Sequence, residues 1–257
     1  MNVSFIGSGN LAWHLAPALD NTDYPVKEVY SLHPPHAEAL VEHLYHAKIK
    51  STLDFSSSPS TIFIIAVSDD AITEIAQEII LPEGAILLHT SGSQPLGVLS
   101  FAATSRLGVF YPLQTFTKSK KVDFKEIPFF VESEDDETQK VMRGMANAIS
   151  SKVYKITSEQ RKALHIAAVF ASNFTNHMLA ISRDILSNHK LDFEWIKPLI
   201  AETVNKGLSL GPDEAQTGPA KRGDLEILDR HLEFLQYDEE VSDIYKIISQ
   251  HIVDRYQ

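Results

Sequence analysis

The most constraining feature of this chain is a six-residue loop, Gly7-Ser8-Gly9-Asn10-Leu11-Ala12. It sits between a compact apolar run over residues 2–6 and a segment over 10–21 in which Leu11, Leu15 and Leu19 recur at helical spacing. A Gly-x-Gly-x-x-Ala loop that leaves a strand and opens a helix has a physical logic. Gly7 permits the sharp turn, Gly9 lets a pyrophosphate approach the backbone, and Ala12 keeps the helix close to the sheet. The helix N-terminus then presents free N–H groups to the anion. Ser8, Asn10 and Leu11 complete the expected cradle, and the bland alternative is an ordinary tight strand–helix turn. Pro17, inside the helical pattern, is expected to kink or shorten that helix.

Behind this loop the chain alternates. Strands are expected over 26–31, 61–67, 85–90, 107–111, 127–132 and 153–156, and helices over 35–47, 70–80 and 136–150. The run TIFIIAV at 61–67 has the β-branched, wholly apolar character of a strand buried on both faces. Ser93 followed by Pro95 predicts a helix start, and Ser133 with Asp136 a cap for the helix near 136. After residue 156 the strand signal disappears. Thr157 and Gln160 form a capping box opening a helix to about 188, and helical periodicity continues over 193–208, 220–235 and 238–255. The expected fold is therefore α/β. A doubly wound parallel sheet fills residues 1–156, and an all-α unit over 157–257 serves substrate binding or dimerisation, packed closely because no flexible linker separates them.

Composition narrows the classes. The 257 residues contain no cysteine, which removes disulfides, thiolate metal sites and thiol catalysis. The net charge of −11 argues against a nucleic-acid surface. No apolar stretch approaches a membrane span, and Met1-Asn2-Val3-Ser4 lacks the basic start of a signal peptide, so a cytoplasmic protein without membrane attachment is expected.

The ribose of a bound dinucleotide should meet the end of the second strand. There the chain reads Val29-Tyr30-Ser31-Leu32-His33, with no Asp or Glu to take the 2′-hydroxyl of NAD. NADP is favoured over NAD, with Ser31, His33 and His36 as available donors in place of an arginine. His33, His36, His43 and His46 also invite a metal reading by their spacing, but a solvated helix beside the adenosine pocket accounts for them and no metal is expected.

Several further motifs carry a family likeness. Ala66-Val67-Ser68-Asp69-Asp70-Ala71-Ile72, His89-Thr90-Ser91-Gly92-Ser93, Gly108-Val109-Phe110-Tyr111-Pro112-Leu113-Gln114-Thr115-Phe116, His165 through Asn173, and Thr217-Gly218-Pro219-Ala220-Lys221-Arg222-Gly223-Asp224 join the glycine loop. With it they resemble a Rossmann-like family of NADP oxidoreductases that carries a C-terminal domain of unknown function. Pyrroline-5-carboxylate reductase, prephenate dehydrogenase, the β-hydroxyacid dehydrogenases and the C-terminal domain of 6-phosphogluconate dehydrogenase are more distant in architecture. The resemblance implies a homodimer through the helical domain, and a small carbonyl, imine or hydroxy-acid substrate in an interdomain cleft. One departure stands out: members of that family carry His-Pro-Leu-Gln-Thr-Phe where this chain has Tyr111 before Pro112. The Lys-x-x-x-Asn pair of the β-hydroxyacid dehydrogenases is also absent, and His165 and Asn173 are the nearest substitutes.

The site candidates follow, each with a plainer alternative. Val67, Ser68, Asp69 and Ile72 end the buried strand beside the expected ribose, or simply cap the next helix. Thr90 and Ser91 end the next strand where a nicotinamide would lie, or form a plain turn. His165, Tyr111 and Asn173 are the candidates for proton exchange and carbonyl orientation, with a partly buried, satisfied histidine as the alternative for His165. Arg222 would grip a substrate carboxylate, or pair with Asp224. The leading expectation is hydride transfer between NADP and substrate; the alternative is a sensor that holds NADP without turnover.

Overall fold

The computed structural model describes every residue from Met1 to Gln257. Eight strands form a single sheet in the order β3-β2-β1-β4-β5-β6-β7-β8. They are β1 (Val3–Ile6), β2 (Val26–Tyr30), β3 (Lys48–Lys50), β4 (Ile62–Ile65), β5 (Ile86–His89), β6 (Arg106–Pro112), β7 (Phe129–Glu132) and β8 (Val153–Lys155). The order of the first six is that of a Rossmann-type, doubly wound sheet. The expectation of parallel pairing needs one correction: β7 runs antiparallel to β6, and β8 then pairs parallel to β7. Fewer than twenty residues separate the end of β6 from the start of β7, with only a short 3₁₀ turn, Phe124–Glu126, among them. No helical crossover of the kind that returns a parallel strand is available there.

Side-chain alternation along the central strands divides the core in two. Ile62 and Ile64 of β4, with Ile86 and Leu88 of β5, face one layer of helices: α1 (Asn10–Asp20), α2 (Pro34–Val41) and α4 (Asp136–Asn147). Phe63, Ile65 and Leu87 face α3 (Ile72–Glu78) and the 3₁₀ turn Leu96–Leu99 on the other side. Each strand is thus apolar on both faces, which is why 61–67 carries no polar alternation.

Several local expectations change. Helix α1 runs through Pro17 to Asp20, where the buried Asp20 carboxylate accepts from the backbone N–H groups of Val26 and Tyr45 and pins the start of β2. Helix α2 ends at Val41, and the short strand β3 follows unannounced. Ser93 opens no α-helix, because its hydroxyl is engaged by Asp69 and only the 3₁₀ turn follows Pro95. The cap of α4 is Asp135, which accepts from Thr138, and Ser133 instead bonds the Leu107 carbonyl. At α5 (Ser158–Ala168) both halves of the capping box form, between Thr157 and Gln160.

Two compact units divide the chain, Met1–Ser172 and Asn173–Gln257. The strands end at Lys155, yet α5 belongs to the first unit because Arg161 on it is buried against the sheet's end. A π-helical turn, Val169–Phe174, carries the chain across this division. The second unit consists of α6 (Thr175–Asn188), α7 (Lys197–Leu210), α8 (Pro212–Ala215), α9 (Pro219–Arg222), α10 (Leu225–Phe234) and α11 (Glu239–Tyr256). No helix is long and apolar enough to cross a membrane.

Candidate active site at the C-terminal edge of the sheet

Strands β1, β4, β5 and β6 run parallel, so their C-terminal ends lie along one edge. In an open α/β sheet this edge, where the strand order reverses beside β1, is where ligands bind. A cavity of about 430 Å³ opens there. Its floor is Gly7, Ser8, Gly9, Asn10 and Leu11; one wall is Tyr30, Ser31, Leu32, His33 and His36, and the other includes Ala66, Val67, Ser68 and Thr90.

The glycines meet different demands. Gly7 has φ +111°, and a Cβ there would lie 2.4 Å from the Ala66 carbonyl oxygen, so the turn admits glycine alone. Gly9 has ordinary backbone, and a Cβ on it would find only the Ala66 oxygen, at 3.9 Å. The loop is tight against the protein at Gly7 and open toward the cavity at Gly9. The first N–H groups of α1 lack intrahelical partners and face the same loop. Open backbone and unpaired donors are what a pyrophosphate requires, so these residues fit a dinucleotide.

On the second-strand wall the Ser8 hydroxyl donates to Ser31 Oγ (3.0 Å), which also receives the His33 backbone N–H (3.2 Å). The His33 and His36 rings meet edge to face at 5.4 Å between centroids, both exposed. No carboxylate lines this wall. Among the described residues no three His, Asp or Glu side chains converge as metal ligands would.

The structure separates some of the expected cofactor residues. Thr90 lines the cavity, its hydroxyl bonded to the Ile65 carbonyl. Ile72, the first residue of α3, is buried in the core, and Asp69 accepts from the Ser93 hydroxyl. Ser91 does not line the cavity; its Oγ accepts from the N–H groups of Ser93 and Gln94 and so builds the turn.

That turn leads to a second group. Tyr111, at the end of β6, places its hydroxyl 3.1 Å from Nδ1 of His165 on α5. Gly92 packs between them, for a Cβ there would meet His165 Nδ1 at 2.5 Å and Tyr111 Cζ at 2.8 Å. Burial raises the Tyr111 phenol above its ordinary range, opposed by the Arg161 guanidinium and reinforced by the Asp69 carboxylate, so the proton stays on oxygen at neutral pH. Asn173 is exposed in the π-helical turn, and Arg222 pairs with Asp224 at 2.8 Å.

Two residues at this edge, Arg161 and His89, carry roles that the sequence did not assign them. Arg161, 1% exposed, donates to Glu132 (3.0 and 3.2 Å) and to the Ser91 carbonyl (2.9 Å). His89, fully buried at the end of β5, accepts the Ser91 N–H at Nδ1, while no partner reaches Nε2 at hydrogen-bonding geometry. Burial, and then the Arg161 charge, push its pKa down to about 3, so it is neutral; the nearby Pro95 carbonyl opposes this only in part. Arg161 follows a capping box and reads as a solvated first-turn residue, so only its unusual partner Glu132, distant in sequence, reveals it.

Comparison with known proteins places the chain. Residues 127–252 match the family model described as "Domain of unknown function (DUF2520)". No curated protein matches. A structure titled "putative NADP oxidoreductase" from Bacteroides fragilis is 38% identical, covers 98% of both chains and superposes with a TM-score of 0.89. A protein from Thermotoga maritima is 24% identical over 98% of this chain and 97% of its own, with a TM-score of 0.72. A reductive aminase from Aspergillus terreus, in complex with NADPH and ethyl-5-oxohexanoate, shares the fold at 14% identity, with a TM-score of 0.71 over 99% of this chain and 94% of its own.

Proposed function

The chain belongs to the family of the Bacteroides fragilis oxidoreductase, and from that premise we propose that it transfers a hydride between NADP and a small carbonyl, imine or hydroxy-acid substrate. The observation that carries this reading is the shared edge: the open glycine loop and the Tyr111–His165 pair both stand at the C-terminal ends of parallel strands. The Gly7–Leu11 loop would hold the pyrophosphate, and Ser31, His33 and His36 would receive the 2′-phosphate. A wall without a carboxylate favours NADP over NAD. When bound, the nicotinamide supplies or accepts the hydride.

The protein's own part is the proton. The Tyr111 hydroxyl and His165 Nδ1 share a hydrogen bond; in the tautomer with hydrogen on Nδ1, the protonated phenol accepts and His165 donates. This fixes the ring and leaves Nε2 to give a proton as imidazolium or take one as neutral imidazole. Both states keep the Nδ1–H contact, so the pair needs no rearrangement during exchange. Asn173 and Arg222 remain candidates for orienting the substrate.

The test is reduction of a panel of keto acids, aldehydes and cyclic imines with NADPH. His165→Ala should lower kcat by about 10²-fold or more while NADPH affinity is kept. Tight NADPH binding by wild type with no oxidation across the panel would instead favour a sensor that holds the cofactor without turnover.

We also propose a homodimer through the second unit. On α7, Leu199, Val204, Leu208 and Leu210 are 66, 48, 83 and 52% exposed, leaving large apolar side chains uncovered on more than one side of the helix. Sedimentation equilibrium should give twice the 28.7 kDa chain mass, and a monomer at micromolar concentration would refute it.

A further inference from the structure

The buried charge beside the proposed proton-exchanging pair has no role in the chemistry so far described. Arg161 is the largest fully buried side chain in the protein. Its Nε and Nη2 both donate to Glu132 Oε2, Nη2 reaches Ser158 Oγ at 3.3 Å, and Nη1 donates to the Ser91 carbonyl. Ser158 in turn donates to Glu132 Oε1 at 2.6 Å. One guanidinium thus ties together the end of β7, the first turn of α5 and the turn that follows β5.

A buried ion pair is weak evidence for stability, since well-packed hydrocarbon of similar volume often serves as well. Hydrocarbon cannot hold three backbone elements in a fixed direction, and the planar fork of arginine can. The direction matters because of what stands one turn away. His165 follows Arg161 by four residues and therefore shares its helix face. The turn that Arg161 holds by the Ser91 carbonyl carries Gly92, whose Cα is packed against His165 and Tyr111. The same turn is held from the strand side by His89, through the Ser91 N–H.

We infer that Arg161, with Glu132 and the Ser91 carbonyl, is a positioning residue that sets His165 against Tyr111 across Gly92. The helix carrying His165 and the turn it packs on are fastened to the same guanidinium, so their spacing is fixed at one point. Arg161 does not exchange the proton; it acts through His165. Its significance for catalysis rests on the hydride-transfer reading above, while the positioning itself does not.

The experiment uses the full chain and reads His165 directly, by its imidazole nitrogen chemical shifts in proton–nitrogen correlation spectra, assigned by their loss in His165→Asn. In wild type, Tyr111→Phe should move the Nδ1 signal. In the double variant Arg161→Met/Glu132→Leu, which removes the pair without stranding a buried carboxylate, the His165 signals should shift and the response to Tyr111→Phe should vanish. NADPH affinity should stay unchanged, since neither residue lines the cofactor cavity. Arg161→Lys keeps the charge, loses the fork, and should shift the His165 signals part of the way. With a substrate in hand, the double variant should lose about 10²-fold in kcat with KM for NADPH preserved. The inference is overturned if either folded variant keeps wild-type His165 shifts and the wild-type response to Tyr111→Phe. If wild type transfers no hydride to any substrate of the panel, the functional reading fails, and the nitrogen shifts still decide on Arg161.

Discussion

At the scale of single residues, the turn after β5 is held by His89 and Arg161, two nitrogen-bearing side chains of opposite electrostatic character, one neutral and one charged. His89 yields a prediction with a definite sign. In the unfolded chain its imidazole takes a proton near 6.5, and in the fold only near 3. Between those values the unfolded state binds more protons, so acidification favours unfolding; above 6.5 the contribution is fully present. Stability should fall as pH drops through this window, with at most about 1.4 kcal/mol per pH unit from this residue. Asparagine keeps an acceptor for the Ser91 N–H without the titration, so His89→Asn should flatten the pH dependence of the urea midpoint. An unchanged pH dependence in that variant would show that His89 is not held neutral. The same residues mark where sequence reading stops. An arginine in a first helical turn and a histidine at a strand end look solvated, and only Glu132 and Ser91, far off in the chain, make them internal.

At the scale of elements, what was legible followed from local physics. The two-sided apolar character of residues 61–67 gave away a central strand, and the Thr157–Gln160 box marked the start of α5 because both of its bonds are local. Elements that depend on distant partners were hidden. Strand β3, three residues long with two lysines, exists only because β2 offers it a pairing edge. The reversal of β7 is set by the absence of a helix before it, not by its own residues. Ser93 carries the signature of a helix cap, yet its hydroxyl is taken by Asp69 after β4. The glycine loop of the candidate site was readable for the same reason: a strand–loop–helix motif is contiguous. The side proposed to exchange the proton was readable only as residue types, His165 and Tyr111, and the contact between them, across Gly92, is tertiary.

At the scale of the whole molecule, a chain of net charge −11 is proposed to bind an anionic dinucleotide. Global charge gives it no help, so the attraction must be local: unpaired N–H groups of α1, open backbone at Gly9, and a wall without carboxylates. The most direct test is an equilibrium fluorescence titration with NADPH and NADH of wild type and of Gly9→Val. A Cβ at position 9 meets no protein atom closer than 3.9 Å, so the start of the valine side chain is accommodated; the substitution should leave the melting temperature near that of wild type while its methyls fill the place proposed for the pyrophosphate. Wild type should bind NADPH more tightly than NADH, and Gly9→Val should weaken NADPH by more than about tenfold. Failure of wild type to bind either dinucleotide, or unchanged NADPH affinity in a folded Gly9→Val, would contradict the proposed binding.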